Sequence, residues 1–121
     1  MTNKEQIEKC INVYYAGCCE SDSEKIKEAF DNNAKNSWYL PDGIHEMNLD
    51  EFSEFVSAQQ PSPKEKGDKE FLEIISCEIV GDTATVQIRE AYLGMIFIDS
   101  FSFLKKDNTW RIYTKLFHVE S

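Results

Sequence analysis

The chain has 121 residues, 41% of them hydrophobic and 29% charged, with a formal net charge of −9. That size and balance suit one soluble globular domain spanning 1–121 with a core of its own, and exclude a disordered chain. The acidic field and the lack of a basic cluster ("KEKGDK" is mixed in sign) argue against nucleic acid and anionic membrane as partners.

The opening "MTNKEQIEKC" carries no apolar signal-peptide core, so the cytoplasm is the expected compartment. Residues 3–20 then place Ile7, Cys10, Ile11, Tyr14, Tyr15 and Cys18 at the spacing of one helical stripe. "ESDSEKIKEAF" starts a second helix, which Asp22 or Ser23 can cap, with Ile26, Ala29 and Phe30 as its buried edge. "DNNAKN" reads as a break. "SWYLPDGIHEM" reads as a short hairpin turning at Pro41-Asp42-Gly43. Asn48 can cap a third helix whose inner stripe holds Leu49, Phe52, Phe55, Val56 and Gln59, and "QQPSPKEKGDK" reads as a loop. The four cysteines, Cys10, Cys18, Cys19 and Cys77, form no C-x-x-C pair. They read as small buried hydrophobes rather than zinc ligands or a redox pair.

From Glu70 the apolar period falls to two. Four strands fit, near 70–80, 83–93, 95–104 and 109–119, joined by turns at Gly81-Asp82, Leu93-Gly94 and Lys105–Asn108. Helices followed by a meander of antiparallel strands make an α+β chain with helices on one sheet face. Tight hairpins pair the residues flanking their turns, and partners share a face. Unbroken alternation gathers Phe71, Ile75, Cys77, Ile79, Val86, Ile88, Tyr92, Met95, Phe97, Phe101, Phe103, Trp110, Ile112 and Leu116 on the inner face. Glu73, Glu90, Asp99, Thr114 and His118 accompany them. An apolar floor with several ionisable groups toward one end is the signature of a ligand pocket. The opposite face, which would include Leu72, Ile74, Ile96, Ile98, Lys115 and Phe117, is too apolar for full solvation and suits a homodimer interface.

Several stretches carry a family resemblance: "INVYYAGCCESDSEKIKEAF" (11–30), "LPDGIHEM" (40–47), "DEFSEFV" (50–56), "VGDTATVQIREAY" (80–92), "FIDSFSFLKKDNTWRI" (97–112) and "KLFH" (115–118). The chain resembles the putative lumazine-binding proteins of the nuclear transport factor 2-like superfamily. The resemblance implies a cone in which three N-terminal helices pack on a curved, mostly antiparallel sheet. It also implies relatives as varied as ketosteroid isomerase, scytalone dehydratase, SnoaL-like polyketide cyclases and non-catalytic members.

Within such a cone, Asp99 and His118 are the candidate acid–base residues, since a buried carboxylate or an oriented histidine titrates in a useful range. Tyr15, Trp38 and Trp110 would supply walls and stacking, and Glu90, Tyr92 and Thr114 polar contacts. The expected function is binding of a small, partly apolar molecule in a conical cavity. The alternatives are a small lyase, isomerase or cyclase using Asp99 or His118 as base, and a non-catalytic dimeric interaction module. No metal-ligand spacing joins His45 and His118, and five scattered glycines form no phosphate loop, so no cofactor is expected.

Overall fold

Each helix start is fixed by a side chain that satisfies otherwise unpaired backbone donors. In the computed structural model, which describes residues 1–120, Thr2 and Glu5 close a capping box at the head of α1 (Asn3–Glu20). Asp22 accepts from the Glu24 and Lys25 amides to start α2 (Ser23–Ala29). Gly17 lets α2 fold back closely, because a Cβ there would lie 3.0 Å from Ile26 Cδ1. Asn48 and Glu51 form the box of α3 (Leu49–Ser57). Ser62 and Glu65 form that of α4 (Pro63–Lys66), a one-turn helix inside the stretch expected to be loop.

The strands are β1 (Phe30–Leu40), β2 (Gly43–Asn48), β3 (Leu72–Val80), β4 (Thr83–Tyr92), β5 (Met95–Lys106) and β6 (Thr109–Val119). They form one sheet of order β2-β1-β6-β5-β4-β3, antiparallel except for the parallel β1–β6 pair. The predicted hairpin near 37–47 therefore belongs to this sheet. Its first strand begins at Phe30 and absorbs "DNNAKN", because pairing with β6 overrides the weak strand propensity of asparagine and aspartate. The β5–β6 turn is tight, with Asp107 and Asn108 at φ 52° and 61°, the left-handed pair that suits the sheet's twist.

The β4–β5 register follows the alternation throughout, from Tyr92↔Met95 to Thr83↔Leu104. Two bulges correct the rest. On β3 the pairing steps from Cys77↔Val86 and Ser76↔Gln87 to Ile74↔Ile88, leaving Ile75 as the extra residue. On β6 it steps from Phe103↔Ile112 to Ser102↔Thr114, leaving Tyr113 extra. A slip of one residue exchanges the faces beyond it. Leu72 and Ile74 therefore turn inward in place of Glu73 and Ile75, and Glu73 instead pairs with Arg89 at 2.9 Å. Lys115, Phe117 and Val119 turn inward in place of Thr114, Leu116 and His118. Trp110 and Ile112, before the bulge, keep the inward orientation expected of them.

The helices cover this inner face. Tyr14 packs edge-to-face on Phe30 and Phe101, at centroid distances of 5.8 and 5.5 Å, and Phe52 packs similarly on Phe30. Ile7, Ile11, Ile26, Ile88 and Ile112 are fully buried around them. Among the described residues, no helix is long and apolar enough to cross a membrane.

The Tyr113 side chain is exposed, so its backbone rather than its ring sets the β6 register. Tyr113→Ala should change unfolding free energy by less than about 1 kcal/mol in a denaturant titration. Deleting Tyr113 should leave a cooperative transition, because Thr114 would then follow Ile112 in plain alternation and Lys115 and Phe117 would stay inside; inserting a second residue beside Tyr113 should abolish it, because that slip would bury His118 and expose Phe117.

Candidate functional site

At the open end of the cone the inner face leaves a cavity of about 260 Å³. Its walls are aromatic. Trp38 of β1 lies between His45 of β2 and Phe117 of β6, at 5.3 and 5.2 Å and interplanar angles of 12° and 24°. Phe117 in turn meets Phe97 of β5 edge-on. Phe52 and Phe55 of α3 close the opposite side.

The floor is polar and buried. Lys115, Glu90, Tyr14, Tyr92, Asn36 and Cys18 all reach the cavity, and all are buried. Tyr14 donates to Glu90 Oε2 at 2.9 Å. Lys115 Nζ lies 3.7 Å from Asp99 Oδ1, a buried ion pair with no direct hydrogen bond, and faces the Phe117, Phe52 and Tyr14 rings at 4.7, 5.1 and 5.7 Å. Asp99 is completely buried beneath the floor and does not line the cavity. Burial, and then the charge of Asp99 and a hydrogen bond with it, push the Glu90 carboxyl well above the ordinary carboxylate range. Burial and the neighbouring carboxylate thus favour the protonated form of Glu90. That proton gives Asp99 a donor where conventional donors supply none to either oxygen. Burial likewise raises the Tyr14, Tyr92 and Cys18 groups, so the phenols and the thiol stay neutral.

Two buried polar atoms at this floor have no partner: Asn36 Oδ1 and Tyr92 Oη. The Lys115 ammonium also makes no hydrogen bond among the described residues. Buried groups of this kind are costly unless something else satisfies them.

The sequence-derived candidates separate into three groups. Trp38, Glu90 and Tyr92 come together at the cavity, with Asp99 directly behind it. Tyr15 and Trp110 are structural clamps elsewhere. Tyr15 donates to the Ala91 carbonyl at 2.7 Å and accepts from the Phe71 amide at 3.0 Å, while the Trp110 indole N–H donates to Asn3 Oδ1 at 3.1 Å. Thr114 and His118 lie on the outer face, carried there by the Tyr113 bulge. Sequence reasoning assigned Lys115 and Phe117 to the wrong face and passed over Asn36. The signal for the first two was the lack of a wet face in "RIYTKLFHV", which a bulge resolves. Nothing local distinguishes Asn36, whose place depends on pairing with β6.

Glu90 protonated in the fold but ionised in the unfolded chain above about pH 4.5 fixes a sign. The native state binds the extra proton, so this contribution is complete below that pH and is eroded as pH rises toward the raised native value. Glu90→Gln removes it, while an amide can still accept from Tyr14 and donate to Asp99. The melting-temperature difference, variant minus wild type, should grow as pH rises from about 5 toward the raised native value; a constant difference would mean that Glu90 is already ionised in the fold.

The profile of the family described as "Putative lumazine-binding" matches residues 2–118. No curated protein matches the sequence. Among solved structures, an NTF2-like protein of unknown function from Shewanella baltica OS155 superposes with a TM-score of 0.86 at 22% identity, covering 100% of this chain and 98% of its own. An NTF-2 like protein of unknown function from Silicibacter pomeroyi DSS-3 gives 0.84 at 21% identity, covering 99% and 100%. One from Methylobacillus flagellatus KT gives 0.84 at 22%, covering 100% and 96%. The likeness to these structures establishes the NTF2-like cone, and the profile match over nearly the whole length establishes that the chain belongs to the putative lumazine-binding family.

Proposed function

We propose that this protein binds one small, flat, largely apolar molecule in the cone. The observation that carries the reading is the cavity itself: aromatic walls above a floor where the Lys115 ammonium has no hydrogen bond among the described residues. Aromatic side chains recognise flat ligands by stacking, and a few fixed polar groups orient them. The family description names a lumazine, a flat heterocycle, and flatness is the property this cavity shares with it. Binding is favoured over acid–base catalysis by position. Asp99 reaches the cavity only through Lys115 and Glu90, and His118 is exposed on the far face of the sheet.

Native mass spectrometry of the purified protein, followed by denaturation, tests this reading. The expected result is one small molecule per chain, retained on gentle ionisation and released on unfolding. Trp38→Ala, which removes the stacking wall, should lower its occupancy about fivefold or more. Occupancy unchanged by Trp38→Ala would place the ligand elsewhere.

We propose, second, that the outer sheet face pairs two copies of the chain. Leu116 is 57% exposed there, across from Ser100, with half-buried Ile98 on the same strand as Ser100. A mixed apolar and polar patch of this sort suits a subunit interface. Light scattering should give twice the chain mass for the wild type and the single mass for Leu116→Lys, with the melting transition of both cooperative.

A further inference from the structure

The cavity has an unusual polarity along its depth. Every polar side chain that lines it is buried. Every lining residue that is more than a third exposed is apolar: Leu40, Phe55, Met95 and Val119, each between 38% and 44% exposed. Hydration alone would produce the opposite arrangement, with polar groups at the mouth and an apolar floor. A ligand oriented with its polar end toward water would leave the Lys115 ammonium without a hydrogen bond and place its own polar group against an apolar rim.

The charges on the floor are also balanced. Lys115 contributes one positive charge and Asp99 one negative, at 3.7 Å from each other. Glu90 is held neutral by burial and by Asp99. An incoming carboxylate would be a second buried anion with no free cation to meet it, and an incoming ammonium would face Lys115; both are costly in a buried site. An uncharged acceptor meets neither penalty. It can accept a hydrogen bond from the Lys115 ammonium, which has none among the described residues.

We infer that the ligand enters polar end first, that this end is an uncharged carbonyl group held by Lys115, and that its apolar end rests at the mouth on Leu40, Phe55, Met95 and Val119. This rests on the small-molecule reading above and adds the orientation and the chemical class. The rim then has a role. Four exposed apolar side chains are covered by the ligand's outer end, so affinity grows with apolar length beyond the cavity.

Isothermal titration of the wild-type protein with three probes of one shape tests the assignment: 2-acetonaphthone, 2-naphthoate and 2-ethylnaphthalene. The ketone should bind at least tenfold tighter than either of the others. A 6-butyl chain on the ketone should tighten binding severalfold in the wild type and not in Phe55→Ser, which keeps the ketone preference. Tightest binding by the naphthoate, or equal binding of ketone and hydrocarbon, overturns the orientation and leaves the cavity reading standing. No binding of any probe, together with an empty protein in native mass spectrometry, overturns both.

Discussion

Lys115 and Asp99 occupy the inner face of the sheet only because each is there for the other. Neither could be buried alone, since removing one partner of a buried pair typically costs about 3–5 kcal/mol. At 3.7 Å the pair is an ion contact without a direct hydrogen bond. The remaining polarity of Asp99 is therefore satisfied from the other side, by the Glu90 proton, and Glu90 in turn accepts from Tyr14. The network joins α1, β4, β5 and β6 across the centre of the cone. It fixes which groups stand at the cavity floor and how many charges they carry.

That network depends on a backbone irregularity. If Tyr113 were paired in regular alternation instead of bulged, Lys115 would lie outside and His118 inside, and Asp99 would have no cation within reach. Bulges also bend the strands that contain them and raise their twist. The β6 bulge coincides with a register shift in the parallel β1–β6 pairing between Phe30 and Lys35. The same local defect therefore helps to curl the sheet into a cone and to turn a lysine into it. On β3 the Ile75 bulge does the reciprocal service, moving Glu73 out to Arg89 and bringing Leu72 and Ile74 into contact with the core.

The parts of this fold that rest on local chemistry are legible in the sequence. The helix caps at Asp22 and Asn48, the tight turns and the complete β4–β5 register all follow from residue type and period. Glu90, Tyr92 and Trp38 are found at the cavity for the same reason, since no bulge intervenes on β4 and the turn after Leu40 is tight. What was not legible depends on partners distant in sequence. "DNNAKN" looks like a break until β6 is beside it, and the bulges at Ile75 and Tyr113 have no composition of their own. The one available sign was the absence of a solvated face in the last strand. Alternation counted through a bulge gives a confident and inverted answer, which is why Thr114 and His118 were exchanged for Lys115 and Phe117.

A fold selected for stability alone would fill this cavity with apolar side chains. Replacing a buried ion pair by well-packed hydrophobes is often neutral or stabilising, and leaving buried hydroxyl and amide oxygens unpaired costs about 1–3 kcal/mol each. This chain instead keeps an ammonium, a neutral carboxyl, a phenol and an amide at the bottom of an aromatic slot, in a core that is otherwise closely packed around Tyr14, Phe30 and Phe101. The local departure from the packing rule is confined to the residues at and directly behind one cavity, and a bound acceptor would relieve part of it by taking a hydrogen bond from the Lys115 ammonium. Strain of this kind, concentrated where a ligand could remove it, is what distinguishes a binding site from a packing defect.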